Sequence, residues 1–260
     1  MRTLAVSNYK GGVGKTTTAV NMAAILADAG KHVLVIDADP QANSTQFFLG
    51  TMEDTLINSL AAVMQGMADD PYDFLYQTGI TGIDILPASI DLISADIASV
   101  KYGVGFRRLA DLLEVVVEDA EVSAVDDGYD YCLIDCPPSF TAASVAAIYA
   151  ADEVIIPVTV DYFAVSGMAL LLAQIKSVKR VRPSAKVAGV LITQWHNAPA
   201  CVQGEAVLRQ SGVPVFDTVI RRSEKVAEAG FLRQSLNEYS RNSSAGRDYR
   251  EFVDEYLGVK

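Results

Sequence analysis

The sequence predicts a doubly wound α/β fold, a mostly parallel sheet flanked by helices on both faces. Two patterns carry that prediction. Short runs of Val, Ile and Leu without polar alternation recur along the 260 residues, as expected of strands covered on both sides. Stretches of helical periodicity separate them, and strand–helix alternation of this kind puts the working loops at the carboxyl ends of parallel strands. A glycine-rich turn between the first run and the first helix, Gly11 to Gly14, adds a third.

In chain order, the strands read as TLAVSN (3–8), HVLVIDAD (32–39), IDILPA (83–88), YDYCLIDCPP (129–138), DEVIIPVTV (152–160), KVAGVLIT (186–193) and VPVFDTVI (213–220). The helical stretches are Thr16–Ala29, closed by Gly30, then Thr55–Gln65, Phe106–Asp119, Thr141–Ala150, Val165–Val181 and Cys201–Gln210. Two further helices are expected in IRRSEKVAEAG and SSAGRDYREFVDEYLG, the second starting near Ser244 or Ala245. Residues 1–260 read as one domain whose last part, about 220–260, is helical and locally basic; such folds often exceed 200 residues unsplit.

Composition narrows the function classes. Half the residues are hydrophobic and a fifth charged, a globular mixture with ample core. No apolar run reaches the roughly 18 residues that cross a bilayer, and the start carries no secretion pattern, so a cytoplasmic chain is expected. Cys132, Cys136 and Cys201 lack paired metal spacing, and the two histidines give no metal set. The net charge of −11 is uneven: Lys176 to Arg250 holds 13 Lys and Arg against 6 Asp and Glu, leaving −18 on the remainder. A locally positive surface can meet phosphates that the total would repel; scattered solvated lysines and arginines are the alternative.

The chemistry concentrates in NYKGGVGKTTT, residues 8–18. Gly14, Lys15 and Thr16 end a phosphate loop, but Tyr9 stands where the usual pattern has glycine, and Lys10 adds a second lysine. Glycines 11, 12 and 14 let backbone N–H groups converge on an anion, and the following helix presents its N-terminal amides to it. Lys15 would neutralise the β- and γ-phosphates, with the Thr16 hydroxyl on Mg²⁺. VIDADPQ places Asp37 and Asp39, and CLIDCPP places Asp135, at strand carboxyl ends beside this loop. A hard cation needs oxygen ligands there; a turn or cap role is the alternative for each aspartate.

KGGVGKTT, DADPQANS and DCPPS together resemble the ParA/MinD group of P-loop ATPases with a deviant Walker A loop, most of all the short, Soj-like partition proteins. VDYFAVSGMALLL is similar to a dimer-side segment of that group and VIRRSEKVAEAG to its late helix. The resemblance implies ATP and Mg²⁺ as cofactors and weak, partner-stimulated hydrolysis. It makes Lys10 a signature lysine that reaches the phosphates of a second ATP-bound subunit. It further implies that Asp39 orders the attacking water and that Asp37 and Asp135 join Thr16 in the Mg²⁺ shell. Gly11, Gly12, Val13, Gly14, Lys15, Thr16 and Thr17 would line the phosphates, while Thr193, Gln194 and Arg221 lie where relatives meet adenine.

An ATP-dependent homodimer needs a reader, and non-specific DNA is the leading expectation. Arg221, Arg222, Lys225, Arg233, Arg241, Arg247 and Arg250 are the candidates, with Lys225 where relatives carry a DNA-contacting arginine. A ParB-like or other adaptor, a nucleoid association and a role in plasmid or chromosome segregation follow from the resemblance. A protein cargo and a MinD-like membrane timer are the alternatives, as is a ligase on the same fold. Against the membrane, the last helix opposes Tyr249, Phe252, Val253, Tyr256 and Leu257 with Asp248, Glu251, Asp254 and Glu255, which anionic lipid would repel.

Overall fold

A computed structural model describes residues 1–50, 58–103, 105–123, 128–160 and 164–259. In chain order it contains β1 (Arg2–Val6), α1 (Lys15–Asp28), β2 (Val33–Asp37), α2 (Asn43–Leu49), α3 (Leu60–Gln65), β3 (Tyr76–Gln77), β4 (Ile83–Leu86), α4 (Leu92–Tyr102) and α5 (Arg108–Ser123). There follow β5 (Tyr131–Asp135), α6 (Ala142–Ala150), β6 (Glu153–Thr159), α7 (Ala164–Val181), β7 (Lys186–Trp195), α8 (Pro199–Gln210), β8 (Val215–Arg221), α9 (Glu224–Phe231), α10 (Leu236–Tyr239) and α11 (Ser244–Leu257).

The strands form one sheet in the order β3-β4-β2-β5-β1-β6-β7-β8, parallel except for the β3–β4 pair. Its apolar runs fail to alternate because both faces are covered: Leu34 and Ile36 of β2 enter one core, Val33 and Val35 the other. α3 to α8 pack on the first face; α1, α2 and α9 to α11 pack on the second. The first β-α crossover runs from β1 toward β2 and a later one from β5 to β6 on β1's other side. β1 therefore sits at the point where strand order reverses, and a crevice opens at its carboxyl end.

The last helix shows what its apolar stripe is for. Tyr249, Phe252 and Val253 are fully buried against α1 and β8, and Phe252 meets Phe216 edge-on at 4.9 Å. Burying each large side chain contributes roughly 1.5–3 kcal/mol, so this face belongs to the core. No helix among the described residues is long and apolar enough to cross a membrane.

All seven expected strands are present, and sequence periodicity missed four elements. α2 spans seven residues and starts from Ala42 in the left-handed region, without a side-chain cap to announce it. α4 buries only Leu92, Ala95 and Ser99 while Ile93, Ile97 and Val100 stay exposed, so its polar and apolar positions do not separate into a stripe. β3 and α10 have two and four residues, too few for any period. The start of the helix expected from Thr55 lies outside the described residues up to 57; α3 begins at Leu60.

Candidate active site

β1 lies between β5 and β6, in register with Val6 opposite Asp135. From Val6 the chain turns through Ser7 to Gly14 and enters α1, so the loop rises beside Asp135. Gly12 (φ +71°) and Gly14 (φ +84°) occupy the left-handed region, where a side chain would cost about 1 kcal/mol or more.

The two lysines take separate directions. Lys15 is 7% exposed, and its ammonium donates to the Lys10 carbonyl at 3.1 Å. Burial pulls its pKa down, while Asp135, Cys136 and Asp39 pull it back. Lys10 is exposed; its Nζ donates across the crevice to Thr159 Oγ1 at the end of β6, 3.2 Å away. Asn8 braces this rim, accepting from Lys10 N at 2.9 Å and donating to Pro157 O. Tyr9, where the ordinary loop has glycine, packs edge-on to Phe140 at 5.7 Å.

Asp37 and Asp135 end adjacent strands and face each other in register. Both are fully buried, but their partners differ. Asp37 accepts from Asp39 N through Oδ1, and from Thr45 N and Thr45 Oγ1 through Oδ2, at 2.8–3.1 Å. Asp135 accepts from Ser44 Oγ at 2.7 Å through Oδ2, and its Oδ1 has no partner among the described residues. Burial above all, with Asp39 adding like charge, pushes the Asp135 carboxyl up; the Ser44 and Thr16 hydroxyls and Lys15 oppose this. Burial and then Asp135 push Asp37 the same way, against its three donors.

An orphaned buried carboxylate oxygen beside a threonine hydroxyl and a lysine suits a hydrated divalent cation held against phosphate. These residues therefore fit Mg²⁺: Thr16 and Asp135 could hold it, with Asp37 acting through water because its oxygens are already occupied. Cys136 follows Asp135 directly, and burial raises its thiol to about 12, so it stays neutral.

Asp39 is 7% exposed and accepts from Gln41 N at 2.9 Å, while its carbonyl accepts from Ala42 N. Ala42 holds φ +53° at the head of α2. The same short helix supplies Ser44 to Asp135 and Thr45 to Asp37, so the Asp39–Ala42 turn is wired to both carboxylates. Thr17 opens α1 beside Thr16, and its carbonyl accepts from Asn21.

Thr193 and Gln194, expected near the base, are engaged with the loop. Thr193 Oγ1 donates to Val13 O at 2.8 Å and Gln194 Nε2 to Gly12 O at 2.6 Å. Arg221 is bound to Asp248 of α11 by its backbone N at 2.8 Å and by Nε and Nη2, the shortest contact being 2.5 Å. Of the other basic candidates, Lys225 pairs with Glu228 at 2.6 Å and Arg241 with Asp28 at 3.2 Å. Arg247 and Arg250 donate to the Asn242 and Arg241 carbonyls, and Arg222 and Arg233 are exposed. Of Val160–Leu172, compared above with a dimer-side segment, residues 161–163 lie outside the described residues.

Sequence reasoning missed Ser44, Thr45 and Gln174. The first two stand in the quoted DADPQANS and the residue after it, where a serine and threonine near the aspartates were a usable signal. Gln174, 1% exposed on α7, donates to Ser7 O at 2.9 Å across 167 residues, and nothing local marks it.

A family model described as an AAA domain matches residues 1–187. The chromosome-partitioning ATPase Soj of Thermus thermophilus is 34% identical over 260 residues, covering 99% of this chain and 96% of that protein. Among solved structures, apo McdA of Cyanothece superposes with a TM-score of 0.84 at 27% identity, covering 99% of this chain and all of that one. Cobyrinic acid a,c-diamide synthase of Mycobacterium smegmatis, solved with an ATP analogue and magnesium, reaches 0.81 at 30% identity, covering 99% and 94%.

Proposed function

This chain belongs to the ParA/MinD superfamily of P-loop ATPases, on its Soj-like partition side, and from that premise we propose that ATP turns it from a monomer into a DNA-binding dimer. It is a ParA-type positioning ATPase that works with ATP and Mg²⁺. Dimerisation, DNA, the stimulating partner and the role of each residue make up the proposal.

The observation that carries it is the divergence of the two lysines. Lys15 is buried under the Lys10 carbonyl and serves the phosphates of its own subunit. Lys10 is exposed on the opposite rim, reaching toward β6, and serves the phosphates of a second copy. A charge lent across the boundary ties association to the nucleotide, much as an arginine finger does. An apolar flank supports the same reading. Phe140, which packs on Tyr9, is 55% exposed, and Ile93, Ile97 and Val100 of α4 are exposed as well. α4 and the helix after Phe140 are joined by Asp96, which accepts from Ala143 N at 2.8 Å.

Mg²⁺ held by Thr16 and Asp135 would neutralise charge building on the phosphates. The loop amides and Lys15 hold the γ-phosphate, and Asp39 orients the water that attacks it. A carboxylate is a poor base toward water, so Asp39 positions the water, which suits slow hydrolysis that an adaptor stimulates. When phosphate leaves, the Asp39–Ala42 turn relaxes, and α2 transmits this through Ser44 and Thr45.

DNA as the reader is supported by the basic segment from Lys176 to Arg250, doubled in a dimer. Positioning is favoured over ligation by Lys10, which an enzyme acting on a small substrate does not need, and by the near full-length match to Soj. A chromosome, a plasmid or a protein assembly is the cargo. Co-sedimentation with DNA and with anionic vesicles, under ATP, ADP or no nucleotide, tests the reading. Pelleting with DNA under ATP alone is expected; pelleting with vesicles and not with DNA would contradict it.

A further inference from the structure

We propose that Gln194, together with Thr193, is a clamp that sets the amides of the phosphate loop, so that both are positioning residues for the phosphates and not contacts to the base. The proposal rests on the reading of residues 7–16 as the nucleotide's phosphate loop and extends it to what holds that loop in shape.

A peptide unit is a rigid plane whose C=O and following N–H point in opposite directions. Holding a loop carbonyl outward therefore turns the next amide inward. Gln194 Nε2 holds the Gly12 carbonyl at 2.6 Å, which aims Val13 N–H into the loop. Thr193 Oγ1 holds the Val13 carbonyl at 2.8 Å, which aims Gly14 N–H the same way. The acceptor on each side is a carbonyl, so only the amide NH₂ of Gln194 and the hydroxyl proton of Thr193 can make these bonds. Thr193 Oγ1 also lies 3.1 Å from Val158 O, so its single proton is shared between the loop carbonyl and β6. The same logic applies at the start of the turn, where Gln174 holds the Ser7 carbonyl. Three loop carbonyls are thereby drawn outward by three side chains, leaving a concave set of donors of the kind that binds anions.

Gln194 keeps this position in a strained backbone. Its φ is +53°, in the left-handed region at the end of a strand, where the β7–β8 register breaks between Ile192 and Trp195. Such a conformation persists only where the surroundings hold it, and it clusters at functional sites. The bond to Gly12 is one such hold; Arg222 N to Trp195 O, at 2.8 Å, pins the next residue. Gln194 is exposed, so its loss leaves the core intact, and Thr193 is buried, so valine keeps its shape while removing the donor.

The test compares Gln194→Ala, Thr193→Val and the hydroxyl-retaining Thr193→Ser in the full chain. Dissociation constants are measured for ATP and for GTP, each with Mg²⁺, alongside thermal midpoints. A clamp acts on phosphates common to both ligands. Gln194→Ala and Thr193→Val are therefore expected to weaken ATP and GTP by the same factor, about fivefold to tenfold, leaving their ratio unchanged, with Thr193→Ser near wild type. A loss confined to ATP would make Gln194 a base contact and overturn the proposal, as would unchanged affinity for both. A wild-type protein that binds neither nucleotide would instead overturn the phosphate-loop reading itself, and the clamp with it.

Discussion

The crevice at the end of β1 and the helices α9 to α11 hold charge in opposite ways. In the crevice, Asp37, Asp39, Asp135 and Lys15 are buried, and one carboxylate oxygen has no partner among the described residues. Around the C-terminal helices three of the cations are already matched by carboxylates: Lys225 by Glu228, Arg241 by Asp28, and Arg221 at the end of β8 by Asp248. The first region stores electrostatic strain that a cation and an anion together relieve, so ligands act on it strongly. At those three cations, binding a phosphate means exchanging one partner for another, at small net gain and with strong dependence on salt.

The contrast is sharpest in the crevice. Asp39→Ala removes the group proposed to orient water and leaves the phosphate loop intact. Hydrolysis is expected to fall about 100-fold or more while ATP still binds, as read by phosphate release against nucleotide affinity. An equal loss of both would mean that Asp39 holds the nucleotide and not the water.

Arg221 tests the other side. Asp248 is 3% exposed and takes both the backbone and the guanidinium of Arg221, so Asp248→Ala strands a half-buried cation and a backbone donor. A stability loss of about 2–4 kcal/mol is expected from denaturant melts, reduced from the fully buried case because Arg221 is 42% exposed. A loss below about 0.5 kcal/mol would make the pair an ordinary surface contact.

Much of this was legible in the sequence because the phosphate site is local. Lys10, Lys15 and Thr16 lie within one turn of chain, and Asp37 and Asp135 each end an apolar run that reads as a buried strand. The supports were illegible for the converse reason. Gln174 meets Ser7 across 167 residues and Gln194 meets Gly12 across 182. Arg221 reads as a cation for a ligand until the fold brings Asp248, 27 residues later, beneath it. α2 was hidden for a physical reason too: two of its first three residues, Ser44 and Thr45, spend their side chains on carboxylates, and propensity alone would not predict a helix there.

A smaller effect separates the regions by pH. Asp135 is held above its ordinary value of 3.8 by burial, so the folded chain binds its proton more tightly than the unfolded chain does. Stability without nucleotide therefore falls as pH rises from 3.8 toward the raised value. Asp135→Asn keeps the group neutral, so its stability relative to wild type should improve by about 1–3 kcal/mol between pH 4 and pH 8. A difference that stays constant with pH would contradict the buried-charge account. The smallest effect belongs to the basic helices. Glu228→Gln frees Lys225, and DNA affinity under ATP should rise about twofold to fivefold at low salt and converge with wild type at high salt. No change would place Lys225 away from the DNA.

The central claim is that Lys10 lends its charge to a second copy. Light scattering of wild type, Asp39→Ala and Lys10→Ala with Mg²⁺ and ATP measures it directly. Doubled mass is predicted for the first two with ATP and not with ADP, and monomer mass for Lys10→Ala even where ATP is bound. A Lys10→Ala chain that doubles its mass as readily as wild type would contradict the claim.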